Sequence, residues 1–303
     1  MVTITCPVRN NLGQVRFHVL LPQPLRRKLQ CMTRRHTSKF HLISAICGFL
    51  LLLGSLSGAA AEPTPAAAIA FNSYVSAVES RLTQQHRLAD AFLAPQSLTE
   101  QNTLRLRCGD LIVEQLIPFT GAGLPGALLH HWRGTAFAPG ARVADFERLM
   151  KDFNSYPQHF GPEVLQAKVL VQQGDHLQAS MRVRQKHVIT VVMDTTYDVA
   201  FHRLDARHGY SISQSTRVAE IDSPGTRNER TLSASEEHGF LWRINTYWSY
   251  EERDGGLYMQ IESVTLTRSI PAGLGWAVRP FVESVPRESM EFTLRSTCNA
   301  LRK

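Results

Sequence analysis

The stretch GFLWRINTYWSYEERDGGLYMQIESVTLTR, residues 239–268, sets two tryptophans and four other aromatics around the turn residues Asp254, Gly255 and Gly256. Alternating side chains on both sides of such a turn describe an antiparallel hairpin. Centring the turn on Asp254-Gly255 or on Gly255-Gly256 leaves the faces unchanged, because the two registers differ by an even step. One face carries Trp242, Ile244, Thr246, Trp248 and Tyr250 opposite Met259, Ile261, Ser263, Thr265 and Thr267. It is apolar with a fringe of hydroxyls. Large aromatics opposite small Ser and Thr leave room, as in pockets for lipid-like ligands, although a solid core has the same pattern. The other face carries Arg243, Asn245, Tyr247 and Ser249 opposite Gln260, Glu262, Val264 and Leu266. Its mixed character, with Tyr247 near Glu262, reads as solvated surface.

Outward from the hairpin, Phe71, Val75, Val78 and Leu82 recur at helical spacing until Pro95, which predicts an amphipathic helix over 67–93. DLIVEQLIPF and ALLHHWRGTAF read as strands joined by TGAGLPG. VADFERLMKDFNSY then places Val143, Phe146, Leu149, Met150 and Phe153 on one helical face, ended by Pro157. From residue 163 the segments EVLQAKVLVQQ, LQASMRVRQKHVITVVMD, TYDVAFHRLD and YSISQSTRVAEI read as strands, with turn residues at Gly174-Asp175, Gly209 and Pro224-Gly225. A last helix over 286–301 opens at Pro286 and lines Met290, Leu294, Thr297 and Leu301 along one stripe. This order is an α+β design, a curved antiparallel sheet wrapped on a long C-terminal helix with an extra N-terminal helix. Trp242, Ile244, Thr246, Trp248, Tyr250, Met259 and Ile261 on the sheet, with Met290 and Leu294 on the helix, are the expected ligand wall.

The 303 residues are 43% hydrophobic and 19% charged, a globular composition. The formal charge of +7 would suit a nucleic acid or a membrane surface if it were spread over the fold. Instead, residues 1–61 hold eight of the 33 Lys and Arg and none of the 26 acidic residues, so 62–303 carries 25 basic against 26 acidic groups. No nucleic-acid partner is expected, and transient membrane contact stays open.

Residues 1–61 have the anatomy of an export signal: the basic MTRRHTSKFH, the apolar run 42–54, then SLSGAAAEP with small residues at Ala59 and Ala61. The run is shorter than the roughly 20 residues that span a bilayer. Ile46 is too large to precede a lipidated Cys47, and Arg34-Arg35 lacks the apolar residues of a twin-arginine signal, so the general secretory route is expected, with removal after Ala61. The protein is expected to be periplasmic or secreted. The domain plan is 1–61 export region, 62–107 N-terminal helical segment and 108–303 main domain. Only Cys108 and Cys298 remain in the mature chain. A bridge between them would stabilise by about 4–5 kcal/mol on the loop-entropy account, and two buried free thiols are the alternative.

Two segments resemble the START-like superfamily of helix-grip proteins, which includes polyketide cyclases and coenzyme Q-binding proteins. WRGTAFAPGARVADFERLMKDFNSYPQHFGPEVLQAKVL (132–170) is similar in its strand, helix and D-F-x-x-Y-P turn, and IPAGLGWAVRPFVESVPRESMEFTLRSTCNAL is similar to the loop and grip helix. The resemblance covers about 130–302. It implies a cavity between sheet and terminal helix for a lipid, quinone or polyketide-like molecule. It carries no catalytic set, so no catalytic residue is assigned.

Other motifs have plainer readings. GAGLPG at 121–126 matches G-x-G-x-x-G, but a strand-like segment follows where a helix is needed. His130 and His131 face opposite ways on a strand, and His187, His202 and His208 are scattered, so neither a metal nor a cofactor is expected. GYSIS lacks the last glycine of a nucleophile elbow. Asp194, Asp198 and Glu262 read as surface salt bridges, and MRVRQKH as a solvated strand face. Three functions remain: a carrier or binder of a hydrophobic small molecule, a cyclase or hydratase using the same cavity, and a filled-core envelope module. Protein partners are not readable.

Met32 stands directly before the basic stretch, so translation starting there would yield an ordinary signal peptide. Peptide mapping of the unprocessed precursor is expected to recover nothing from 1–31, and N-terminal sequencing of the mature protein to begin at Glu62.

Overall fold

The computed structural model describes residues 62–88, 91–116, 124–186, 190–270 and 275–302, with backbone only over 275–283. The expected export region, the start of GAGLPG and His187 lie outside these residues. The described residues form nine strands and five α-helices. Among them no helix is long and apolar enough to cross a membrane.

Helix α1 (Pro65–Gln85) opens at Thr64, whose hydroxyl accepts from the Ala67 amide at 3.2 Å. Thr64 thereby satisfies one of the free first-turn amides. The helix ends before the expected 93, and the chain continues through a 3-10 turn at Pro95–Leu98 into α2 (Glu100–Arg107). Strands β1 (Ile112–Gln115) and β2 (Ala127–Pro139) follow, then α3 (Val143–Lys151) and the short α4 (Tyr156–His159). The meander is β3 (Val164–Gln173), β4 (His176–Lys186), β5 (Thr190–Arg203), β6 (His208–Asp222), β7 (Arg230–Thr231), β8 (Arg243–Arg253) and β9 (Gly256–Arg268). The expected strand 177–194 is thus split between β4 and β5, and β5 runs without a break through Thr195 into the next expected strand. Helix α5 (Gly275–Leu301) closes the chain. It starts well before Pro286, which lies inside it; a proline forfeits one helical amide bond and does not by itself set the start.

The sheet order is β1-β2-β9-β8-β6-β5-β4-β3, antiparallel between neighbours, with β7 paired only to β6. The β8–β9 turn is Asp254-Gly255, with φ of 55° and 76° and Arg253 paired to Gly256. Two successive positive φ values define the two-residue turn whose twist matches the strands. On the inner face α5 lies against β2 at Gly134, where a Cβ would come within 2.6 Å of Leu294 Cδ1 and 2.8 Å of Met290. Helix α3 packs there too, its Phe146 ring meeting Trp248 and Tyr250.

The outer face is not solvated surface. Phe71, Val75, Val78 and Leu82 of α1 pack with Trp242, Tyr247, Val264 and Leu266, giving three layers, α1, sheet and α5. Beneath α1 the mixed face forms a buried polar cluster centred on Glu262, which is 2% exposed. Arg133 Nε donates to Glu262 Oε1 at 2.9 Å, and Arg81 of α1 donates to Oε2. His131 Nε2 lies 2.9 Å from the same Oε2. A carboxylate only accepts, so His131 donates from Nε2, and its Nδ1 lies 2.8 Å from the Tyr74 hydroxyl, which makes the imidazole a bridge between Tyr74 and Glu262. Tyr247 and Gln214 donate to Glu79 of α1 at 3.0 and 2.8 Å. Burial alone would raise the Glu262 pKa, but the His131 hydrogen bond and the charges of Arg133 and Arg81 outweigh it and hold it near 2. Asp194 and Asp198, by contrast, make the expected ion pairs, to Arg182 and His176.

A depressed carboxylate pKa contributes stability that is complete above the unfolded value near 4.5 and is lost as pH falls toward about 2. Glu262→Gln removes the close counter-charge of buried Arg133 and leaves it only Glu114 at 4.0 Å, which costs on the order of 3 kcal/mol. Thermal melts at pH 7 should fall by on the order of 10 °C, and the steep loss of stability between pH 4.5 and 2 should flatten.

Candidate functional site

Between the inner face and α5 lies a cavity of about 520 Å³. That is within the range of small-molecule sites, roughly 300–1,000 Å³. Its floor is Ser213 of β6, Thr246 and Trp248 of β8, Ile261 and Ser263 of β9, and Trp132 of β2. Its side wall is Met181 and Val183 of β4 with Met193, Tyr197, Val199 and Phe201 of β5. Val285, Met290, Phe292 and Thr293 of α5 cover it. Met150, Phe153, Tyr156 and Phe160, from α3 and the segment around α4, bound one end. Phe153 and Tyr156 stack with centroids 4.3 Å apart, and the Tyr156 hydroxyl donates to the Met150 carbonyl at 2.8 Å. Near the opening, Lys186 and Glu288 are exposed, and Gln185 Nε2 donates to Ser289 Oγ at 2.7 Å, tying β4 to α5.

Of the side chains expected in the ligand wall, Ile244, Thr246, Trp248, Ile261 and Met290 line the cavity. Trp242 does not, because it precedes β8 and alternation no longer governs it; it turns to the outer face and joins the α1 cluster. Tyr250 and Met259 lie on the inner face but are fully buried. The Tyr250 hydroxyl donates to Glu147 of α3 at 2.9 Å, so α3 covers that end of the hairpin. Leu294 fills the space over Gly134. The Cys108–Cys298 bridge is not formed. Cys298 is a free buried thiol beside the Phe137 carbonyl, whereas Cys108 caps α2 at an exposed end.

The hairpin alone missed the β4 and β5 walls and the aromatics around α4. Their signal was present: Met181 and Val183, then Tyr197, Val199 and Phe201, recur at period two.

The cavity is mostly apolar. Burial pushes the Tyr197 phenol up to about 12, with a hydroxyl contact to Thr195 working the other way. Burial likewise raises the Tyr156 phenol far above its ordinary value. Both stay neutral, so neither serves as a base near neutral pH.

An antiparallel sheet gripping a C-terminal helix around an apolar hollow is a helix-grip arrangement. No known family's sequence pattern matches the chain, and no curated protein does. Among solved structures it is similar to the Zhui aromatase/cyclase from Streptomyces sp. R1128, at 11% identity and TM-score 0.40 over 57% of this chain and 94% of that one. It is similar to a START superfamily protein from Mycobacterium smegmatis, at 13% identity and TM-score 0.38 over 57% and 97%. A STAR-related lipid transfer protein from Xanthomonas axonopodis is similar at 14% identity and TM-score 0.35 over 60% and 98%. Identities this low transfer no residue's role.

The two hairpin tryptophans separate cavity from scaffold. Trp248→Ala should weaken retention of a bound hydrophobic probe about tenfold or more, by removing wall area. Trp242→Ala should lower the melting temperature while leaving probe affinity within about twofold, as measured by equilibrium dialysis and thermal melts.

Proposed function

We propose that the protein is an exported, non-enzymatic binder or carrier of a hydrophobic small molecule of lipid, quinone or polyketide-like character. One observation carries the reading: the space between sheet and α5 is a hollow of about 520 Å³ walled by Met, Val, Ile and aromatic side chains. Close-packed interiors leave few voids larger than a water molecule, so a hollow of this size is suited to a guest. A filled-core module has no use for it.

A cyclase or hydratase in the same hollow needs an acid and a base on facing walls. The described lining offers Glu163, Lys186 and Glu288 as charged groups, on β3's leading edge, the end of β4 and α5, and two tyrosines held neutral by burial. The carrier reading is therefore preferred. Export is supported by the sequence alone, through the basic stretch, the apolar run 42–54 and the small residues before Glu62.

Native mass spectrometry of protein purified from its own host tests the reading. The expected result is a discrete mass excess that disappears on unfolding and extracts into organic solvent. Protein that is uniformly empty, and that takes up no hydrophobic probe, overturns it.

A further inference from the structure

We infer that the ligand presents an uncharged oxygen acceptor to a row of donors crossing four strands, so that the cavity selects oxygenated molecules over plain hydrocarbons. This rests on the cavity-binder reading above. Ser213 of β6 stands opposite Thr246 of β8, Thr246 opposite Ser263 of β9, and Ser263 opposite Trp132 of β2. The four residues form a single rung, and all four line the cavity. At about 4.8 Å per strand the rung is roughly 14 Å long, comparable to a fused-ring molecule or a short acyl chain.

The rung has no partners of its own. None of the three hydroxyls makes a hydrogen bond among the described residues. Trp132 is 8% exposed, and its buried indole Nε1 has no acceptor. An indole N–H can only donate, and leaving it unmet is unfavourable. Its complement is an acceptor supplied from within the hollow. The neighbouring hairpin pair, Trp248 with Ile261, is apolar, so on β8 and β9 the hydroxyls are followed by oily surface toward the turn.

The same geometry says what the acceptor is not. The charged side chains lining the cavity, Glu163, Lys186 and Glu288, lie outside β2, β6, β8 and β9. A carboxylate or phosphate over the rung would be buried without a counter-ion, at high cost. A ketone, ester carbonyl or ring oxygen meets an indole N–H and hydroxyls without that penalty. Fatty-acid carboxylates are therefore poor candidates for this position, and neutral oxygenated ring or chain compounds are good ones.

The test uses 1-tetralone and tetralin, which share a bicyclic skeleton and differ by one carbonyl. Equilibrium dialysis should show the protein binding 1-tetralone at least tenfold tighter than tetralin, since a site built to hydrogen-bond rejects the analogue that cannot. Trp132→Phe and the triple variant Ser213→Ala, Thr246→Val, Ser263→Ala should each shrink that preference, and the triple variant should reverse it. Their melting temperatures should hold or rise, because no existing hydrogen bond is removed. Equal or tighter tetralin binding by the unmodified protein, or a preference that survives both variants, overturns the donor row while leaving the cavity reading intact. Binding of neither compound overturns both.

Discussion

A carboxylate sealed beneath a helix must be neutralised where it lies, and the architecture of this chain is organised by that requirement at Glu262. Two guanidinium groups reach it, one from the sheet and one from α1, and the Tyr74–His131 relay completes its coordination. Because Arg81 and Tyr74 arrive on α1 while Arg133 and His131 arrive on β2, the cluster fixes where the helix sits as well as satisfying the charge. Apolar burial by Phe71, Val75, Val78 and Leu82 supplies attraction without direction, and the charged cluster supplies the register. A sheet covered in this way is free to leave its other face incompletely filled.

The inner face uses that freedom. Helix α5 approaches closely over Gly134, where the sheet offers no side chain. Helix α3 removes the turn end of the hairpin from the hollow by placing Phe146 and Glu147 over Tyr250. What remains open is the stretch where the hydroxyl-bearing positions of β6, β8 and β9 lie side by side.

Much of this was legible in the sequence. The hairpin, its faces, the closing helix and the α+β order follow from period-two and period-3.6 patterns that are strong in this chain. The outer face was misread for a physical reason: Asn245, Tyr247, Gln260 and Glu262 alternate as a solvated face would, and a buried hydrogen-bonded network has the same composition. A clue lay in α1, whose apolar stripe needed a surface and had been assigned none. Trp242 failed because the register slips there, its amide bonding the Leu266 carbonyl while Arg243 already pairs with Leu266. The state of the two thiols stayed open because two cysteines distant in sequence carry no information about whether their side chains face each other. The split of 177–194 was hidden by a run without glycine or proline between Met181 and Asp194.

Residue parity divides the β8–β9 hairpin into two independent surfaces. Even positions from Ile244 to Tyr250 belong to the inner face, beneath α5 and α3, and odd positions from Asn245 to Ser249 belong to the face beneath α1. Drift at one parity can therefore reshape the hollow without disturbing how the sheet is braced, as long as chain length is kept. A one-residue insertion in β8 would swap the two sets, setting Asn245 and Tyr247 against the oily interior and pressing Trp248 toward α1. Lineages of this chain should accordingly tolerate substitution in these strands far more readily than a change of length.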